Sequence, residues 1–257
     1  MRRVVYLLLL MISATSCLSK KELVYMQNDN LKETVATPMQ TTYKPYQLQP
    51  ADVLSIKVQS LEPEISNIYN IVPPSSAFGF ADPGTMFLSG YSVDDDGNVN
   101  LPNVGKVKVA GLTLQQSQEV IQRNVDRYIT NATVVVKLIN FRVSVLGEVN
   151  RPGQYFVYNE RATLFDALGM AGDLTRSASR ENVKLVRQTP GGSEVVLIDL
   201  KDPNIVQSRY YFMQPNDVLY IEPSVAQVKR DNLVSLNVVT IALGVISTAA
   251  VILNYFK

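Results

Sequence analysis

Histidine is absent from the 257 residues, and cysteine occurs once, at position 17. Without histidine there is no imidazole base, and one cysteine supplies neither a thiolate pair for zinc nor an intrachain disulfide. Any catalysis would rest on carboxylates, Lys, Tyr or Ser. An excess of either charge is lacking too, with 24 Lys and Arg against 23 Asp and Glu. No basic footprint for nucleic acid stands out, so a nucleic-acid partner is not expected. No cofactor motif is read. With 46% hydrophobic residues there is enough chain for one or two packed domains.

What is present is concentrated first at the ends. Arg2 and Arg3 precede an apolar run of nine residues, Val4 to Ile12, and then the small residues Ser13 to Ser16. Charge, apolar core and small side chains in that order read as an export signal over residues 1–16. Ala14-Thr15-Ser16-Cys17 resembles a bacterial lipobox, with Ala14 where Leu or Val is usual. Cys17 is the expected lipidation site and membrane lipid its partner. The other reading is an ordinary signal or short anchor with an incidental cysteine. Losing Arg2 and Arg3 leaves 22 basic against 23 acidic residues.

At the other end, Leu233 to Phe256 is a run of 24 residues without a charge or a proline. As a helix it would measure about 36 Å, enough for a bilayer core of about 30 Å. Asn237, Thr240, Gly244, Ser247, Thr248 and Asn254 recur at spacings of three and four and fall on one side. Small and hydroxyl residues in such a stripe mark either a helix-packing seam or, in a ring of copies, a water-facing pore lining. The stripe alone leaves both readings open.

Between the ends the chain reads as strands with a few short helices, an α+β pattern. Residues 18–42 are polar, lack sustained periodicity and read as a tether. Tyr46 to Val58 predicts strand, turn, strand, and Tyr211 to Pro223 repeats it, with seven of thirteen positions identical. Asp52 and Asp217 are expected to tie down the two turns through side-chain to backbone hydrogen bonds. A catalytic carboxylate pair is the alternative. Residues 62–90, rich in Pro and aromatics, read as an ordered excursion or contact loop.

Asp96-Gly97 suits a tight turn. Asp94 and Asp96 fail as a calcium loop, because Val99 and Gly105 stand where glycine and glutamate are needed, so no metal site is expected. Thr113 with Gln116 predicts a capped helix whose apolar face carries Leu114, Val120, Ile121, Val125 and Tyr128, and 131–140 a β-branched strand. A strand is expected to run to Val149, turn at Pro152-Gly153 and return over Tyr155 to Tyr158. Thr163 should cap a helix that runs to Ala171 and stops at Gly172, with a hairpin of Val183 to Arg187 and Glu194 to Leu200 beyond.

Gly147-Glu148-Val149, Pro152-Gly153-Gln154-Tyr155 and Thr163-Leu164 through Ala171-Gly172 resemble the soluble-ligand-binding β-grasp (SLBB) domain. Tyr46 through Asp96-Gly97, Leu101-Pro102, Gly105 and Gly111-Leu112-Thr113 resembles the polysaccharide biosynthesis and export domain. With Cys17 and the terminal run, the order is similar to that of Wza-type outer-membrane polysaccharide export lipoproteins. The resemblance implies an export domain over 43–140, one SLBB domain over 141–222, a linker at 223–232 and a transmembrane helix at 233–256. Better-known members carry more than one β-grasp domain.

The resemblance further implies a homo-oligomeric ring in the outer membrane, lipid-anchored, with its folded domains in the periplasm. Its exported substrate would be a capsular or extracellular polysaccharide, and its inner-membrane partner a copolymerase, often joined to a tyrosine kinase. The pore-lining candidates are Asn237, Thr240, Gly244, Ser247, Thr248 and Asn254. The function expected is transport without catalysis. The alternatives are a lipid-anchored scaffold or sugar-binding adaptor, and a carboxylate-based lyase or hydrolase with Glu148 as its acid.

Overall fold

The structure, a computed structural model, describes residues 23–27, 36, 38–71, 90–189, 191–224, 243–249 and 251. Cys17, Asn237, Thr240 and Asn254 lie outside the described residues, as do most of the expected excursion and of the expected terminal span.

In the first half, Val53–Gln59 (β1) alternates apolar and polar side chains, so Leu54, Ile56 and Val58 point into a core. It pairs antiparallel with Tyr91–Ser92 (β2) on one edge and Thr133–Leu138 (β5) on the other. Asn98–Leu101 (β3) and Gly105–Lys108 (β4) form a separate hairpin whose Val99, Leu101 and Val107 close the same core. Pro63–Ser66 (α1) and a 3-10 turn at Asn67–Tyr69 follow β1 and bring Tyr69 inside at 1% exposure.

Leu114–Val125 (α2) starts from a capping box. Thr113 accepts from the Gln116 amide, and the Gln116 side chain accepts from that of Thr113. Its glutamines also serve β5. Gln122 Oε1 accepts from Val134 N at 2.8 Å and Gln118 Oε1 from Val136 N at 3.2 Å. Two amides of the sheet edge are thereby satisfied by helix side chains, which closes the edge to further pairing.

The second half holds a five-stranded sheet in the order β7-β6-β10-β8-β9, built from Arg142–Gly147 (β6), Gly153–Phe156 (β7), Ala178–Thr189 (β8), Gly192–Ile198 (β9) and Val218–Pro223 (β10). The β6–β10 pair is parallel and the other pairs antiparallel. Leu164–Met170 (α3) covers one face. Leu164, Ala167 and Leu168 share a core with Val143, Val145, Val183, Leu185, Leu219 and Ile221. Thr163 and Asp166 form its capping box, and Gly172 takes φ +74° to end the helical turn.

The two cores meet through the connection. Leu138 packs against both, and Phe141 is buried in the second. Asn140 accepts from Val53 N and donates to Ala51 O, while Arg142 O accepts from Asn216 N. Each duplicated turn therefore holds one end of a connection only a few residues long.

Several expectations are corrected. Ahead of the first turn there is one bridge, Gln47 to Thr113, in place of a strand, because Tyr46 turns inward to Asp52. Tyr128 lies beyond α2 and is 55% exposed, so it is no part of the buried face. β6 stops at Gly147, whose φ of +88° swings the chain so that Val149 bridges Leu174. β8 begins at Ala178, earlier than expected, because β10 pairs with it as far as Pro223.

The tether is corrected as well. Met26 N donates to Leu200 O at 2.9 Å and Gln27 N to Lys201 O at 2.6 Å, so residues 23–27 are docked on the second domain. At the C-terminus, residues 243–249 are helical and their side chains exposed. Among the described residues no helix is long and apolar enough to cross a membrane, and the expected span of 233–256 lies mostly outside them.

Candidate functional site

The two copies of the duplicated segment lie at the junction between the domains. In the first, Asp52 Oδ2 accepts from Gln49 N at 2.8 Å and from the Tyr46 hydroxyl at 3.0 Å. In the second, Asp217 Oδ2 accepts from Gln214 N at 2.7 Å, and Arg187 replaces the tyrosine as its side-chain partner. Both carboxylates close their own turns, as expected. Burial pushes both above the ordinary carboxylate range, against the pull of Gln49 and Tyr46 at Asp52 and of Arg187 and Gln214 at Asp217. Burial, with Asp52 beside it and Asp217 acting across the junction, raises Tyr46 strongly.

A cavity of about 680 Å³ opens where these turns meet. Tyr43 to Tyr46 and Thr113 to Gln115 form the first-domain wall, with Lys137 to Ile139 at the connection. Tyr158 to Arg161 and Phe212 to Pro215 form the second-domain wall. Phe212 meets Tyr43 edge to face at 5.1 Å, and the Arg161 guanidinium lies 4.9 Å from the centre of the Tyr43 ring.

Tyr43 is also one end of an aromatic ladder. Contacts run from Tyr43 to Phe212, to Tyr211 at 5.2 Å, to Phe165 at 6.2 Å and to Tyr25 at 5.9 Å. The ladder places both ends of the N-terminal segment on the second domain. Tyr25 donates its hydroxyl to Asp173 and covers the buried Arg180 with its ring. Burial and that bond hold its hydroxyl well above the usual tyrosine range.

Glu148, named as a candidate acid, has a positional task. Its Oε2 accepts from Thr175 Oγ1 at 2.6 Å, and its backbone bonds Ile221 and Thr175, fixing the turn after β6. Asp94 and Asp96 pair with Lys106, and Asp94 accepts from Asn98 N at 2.7 Å. Among the described residues no group of three acidic or thiol side chains could hold a metal. Of the stripe, Gly244, Ser247 and Thr248 are described. The Ser247 hydroxyl donates to Gly244 O at 2.9 Å and Thr248 to the same carbonyl, so both hydroxyls are satisfied along their own helix turn.

The cavity was not foreseen. Its walls come from separate stretches of chain in both domains, which the sequence marks only as local turns, strands and a helix cap. The structure does not bring the candidates of the two chain ends together with it, since Cys17 and half the stripe fall outside the described residues.

Comparison with known proteins follows the same division. Residues 40–139 match the polysaccharide biosynthesis/export protein family and residues 141–221 the SLBB domain. The chain is similar to the EPS I polysaccharide export outer membrane protein EpsA of Ralstonia nicotianae, 31% identical over 167 residues, 62% of this chain and 42% of the relative. The protein of the same name from Ralstonia solanacearum is 33% identical over 159 residues, 60% of this chain and 41% of the relative. The match thus spans about two fifths of the relatives' length.

Proposed function

Because a polysaccharide biosynthesis/export domain running directly into an SLBB domain makes this chain a Wza-type polysaccharide export protein, we propose that it forms an oligomeric outer-membrane channel for a capsular or extracellular polysaccharide. The observation that carries the reading is the order of the two domains, fused through the short connection at Asn140 and Phe141. A joint clamped by both duplicated turns lets neighbouring copies stack as one unit, with their folded domains in the periplasm.

The exposed face of the SLBB sheet supports self-association. Leu146, Tyr220, Lys184 and Leu197 form a row across four strands. Three of the four are apolar and between 41% and 60% exposed. A largely apolar row on a sheet face, interrupted by Lys184 with its Glu222 partner, suits burial against another copy.

Two attachments complete the reading. Lipid on Cys17 and a transmembrane helix over 233–256 hold the domains to one membrane, and in a ring the stripe of Asn237, Thr240, Gly244, Ser247, Thr248 and Asn254 faces water. Transport breaks no covalent bond, so the chain acts without catalytic residues. An inner-membrane copolymerase, joined to a tyrosine kinase, meets the ring from the other side of the periplasm.

Planar-bilayer conductance of the purified oligomer tests the channel. Discrete conductance whose ion selectivity shifts when Thr240 or Ser247 is replaced by Glu supports it. A silent, intact oligomer would leave a scaffold or sugar-binding adaptor instead. Export itself is tested by deletion of the chain in cells: surface polymer should disappear and return on complementation.

A further inference from the structure

We infer that the cavity between the two domains is a binding site for an acidic saccharide segment, held by Arg161, Lys137 and Lys44 beside the exposed ring of Tyr158. The choice of a saccharide over other anions rests on the export reading; the choice of an acidic one rests on the cavity.

The charge balance decides the class of ligand. The whole chain carries a formal net charge of +1. The cavity wall concentrates five cations, Lys44, Lys137, Arg161, Arg187 and Arg209, against two carboxylates, Glu160 and Glu194. Arg187 is consumed by Asp217, and Arg209 by Glu194 at 3.1 Å. Lys44 and Lys137 make no side-chain bond among the described residues, and Arg161 makes only its contact over Tyr43. One carboxylate, Glu160, stands against these three, which leaves room for two bound carboxylates before the charges balance.

Shape and chemistry point the same way. About 680 Å³ lies within the roughly 300–1,000 Å³ of small-ligand sites. Sugar rings present apolar C–H faces and a rim of hydroxyls, which call for aromatic surface beside polar groups. Tyr158 is 83% exposed at the rim, and Gln214 and Gln115 bring amides to the wall. The geometry is set in advance: Tyr43 is held between Phe212 and Arg161 and donates its hydroxyl to Glu160 O at 3.3 Å. The guanidinium is thereby positioned without being neutralised.

Titration calorimetry of the full detergent-solubilised chain with tetragalacturonate and with maltotetraose tests the site. The acidic oligosaccharide should bind about tenfold or more tightly than the neutral one, and raising salt from about 0.05 to 0.5 M should erase most of the difference. Arg161→Glu combined with Lys137→Glu should weaken tetragalacturonate binding by about tenfold or more, while Arg127→Glu, the same charge change on an exposed residue outside the cavity, should not.

Both altered side chains are exposed, and an unchanged thermal melt confirms that the variant folds. Equal affinity for the two sugars, unaltered binding in the double variant, or no binding because a neighbouring copy fills the cavity each overturns the inference. Failure of the export reading shows elsewhere. Cells lacking the chain would still export polymer, whatever the calorimeter reads.

Discussion

Arg187 and Asp217 form a bidentate ion pair, 3.0 Å from Nε to Oδ1 and 2.7 Å from Nη2 to Oδ2, with the carboxylate fully buried and the guanidinium nearly so. Arg187 also donates to Phe212 O at 2.9 Å, so the pair fixes the wall of the cavity as well as the second duplicated turn. Arg187→Met strands a buried carboxylate and should cost about 3–5 kcal/mol, whereas pairing it with Asp217→Leu should recover much of that loss. Urea unfolding of the two variants measures the difference, and a single variant as stable as the double would contradict it.

Asp52 makes a pH-dependent contribution. Burial raises its folded pKa, so its charged form is disfavoured in the folded state relative to the unfolded one. Its contribution is therefore fully present below the unfolded value near 3.8 and declines as pH rises through the folded value. Asp52→Asn keeps an acceptor for Gln49 N and Tyr46 and removes the ionisation. Its stability relative to the wild type should rise from pH 3.5 to 7, about flat at either end. Asp52→Ala removes the ionisation and both bonds, and should be about 1–3 kcal/mol less stable than Asp52→Asn at all pH values. Melting temperatures across that range would show the rise, and a pH-independent difference between Asp52→Asn and wild type would contradict it.

Gly147 allows no side chain. A Cβ there would stand 2.1 Å from Ile221 O, and φ is +88°. Gly147→Ala must push β6 away from β10 at the parallel pair. A loss of more than about 2 kcal/mol, or failure to fold, is expected. A melt within a few degrees of wild type would show that the strands can separate at no cost.

Tyr25 anchors the docked N-terminal segment. Tyr25→Ala removes the bond to Asp173 and the cover over Arg180, so amide exchange at Met26 and Gln27 should accelerate by about tenfold or more while the β8 amides keep their protection. Hydrogen–deuterium exchange by mass spectrometry reads both. Only seven residues lie between Cys17 and Tyr25, eight steps that span about 28 Å at full extension. In cells, a lipid on Cys17 would then hold the SLBB domain close to the membrane, and Cys17→Ala should impair assembly or export.

Local chemistry was legible in the chain itself. The Thr113–Gln116 box and the turns closed by Asp52 and Asp217 rest on contacts within a few residues, so spacing determined them. The duplicated segment was readable from its seven identical positions, and the domain order from the resemblance to the export and SLBB families. Even the absence of histidine settled which chemistry was open before any fold was known.

Tertiary structure alone decided where distant residues meet. Nothing near Tyr25 in sequence announces Asp173, 148 residues away, and nothing near Tyr43 announces Phe212. A polar segment without periodicity reads as a tether because its partners belong to another domain. The cavity has the same origin: its cations are unremarkable one by one, spread over more than a hundred residues. Only the joint at Asn140 and Phe141 brings them to one cavity, where proximity gives them a shared field that no spacing in the chain encodes.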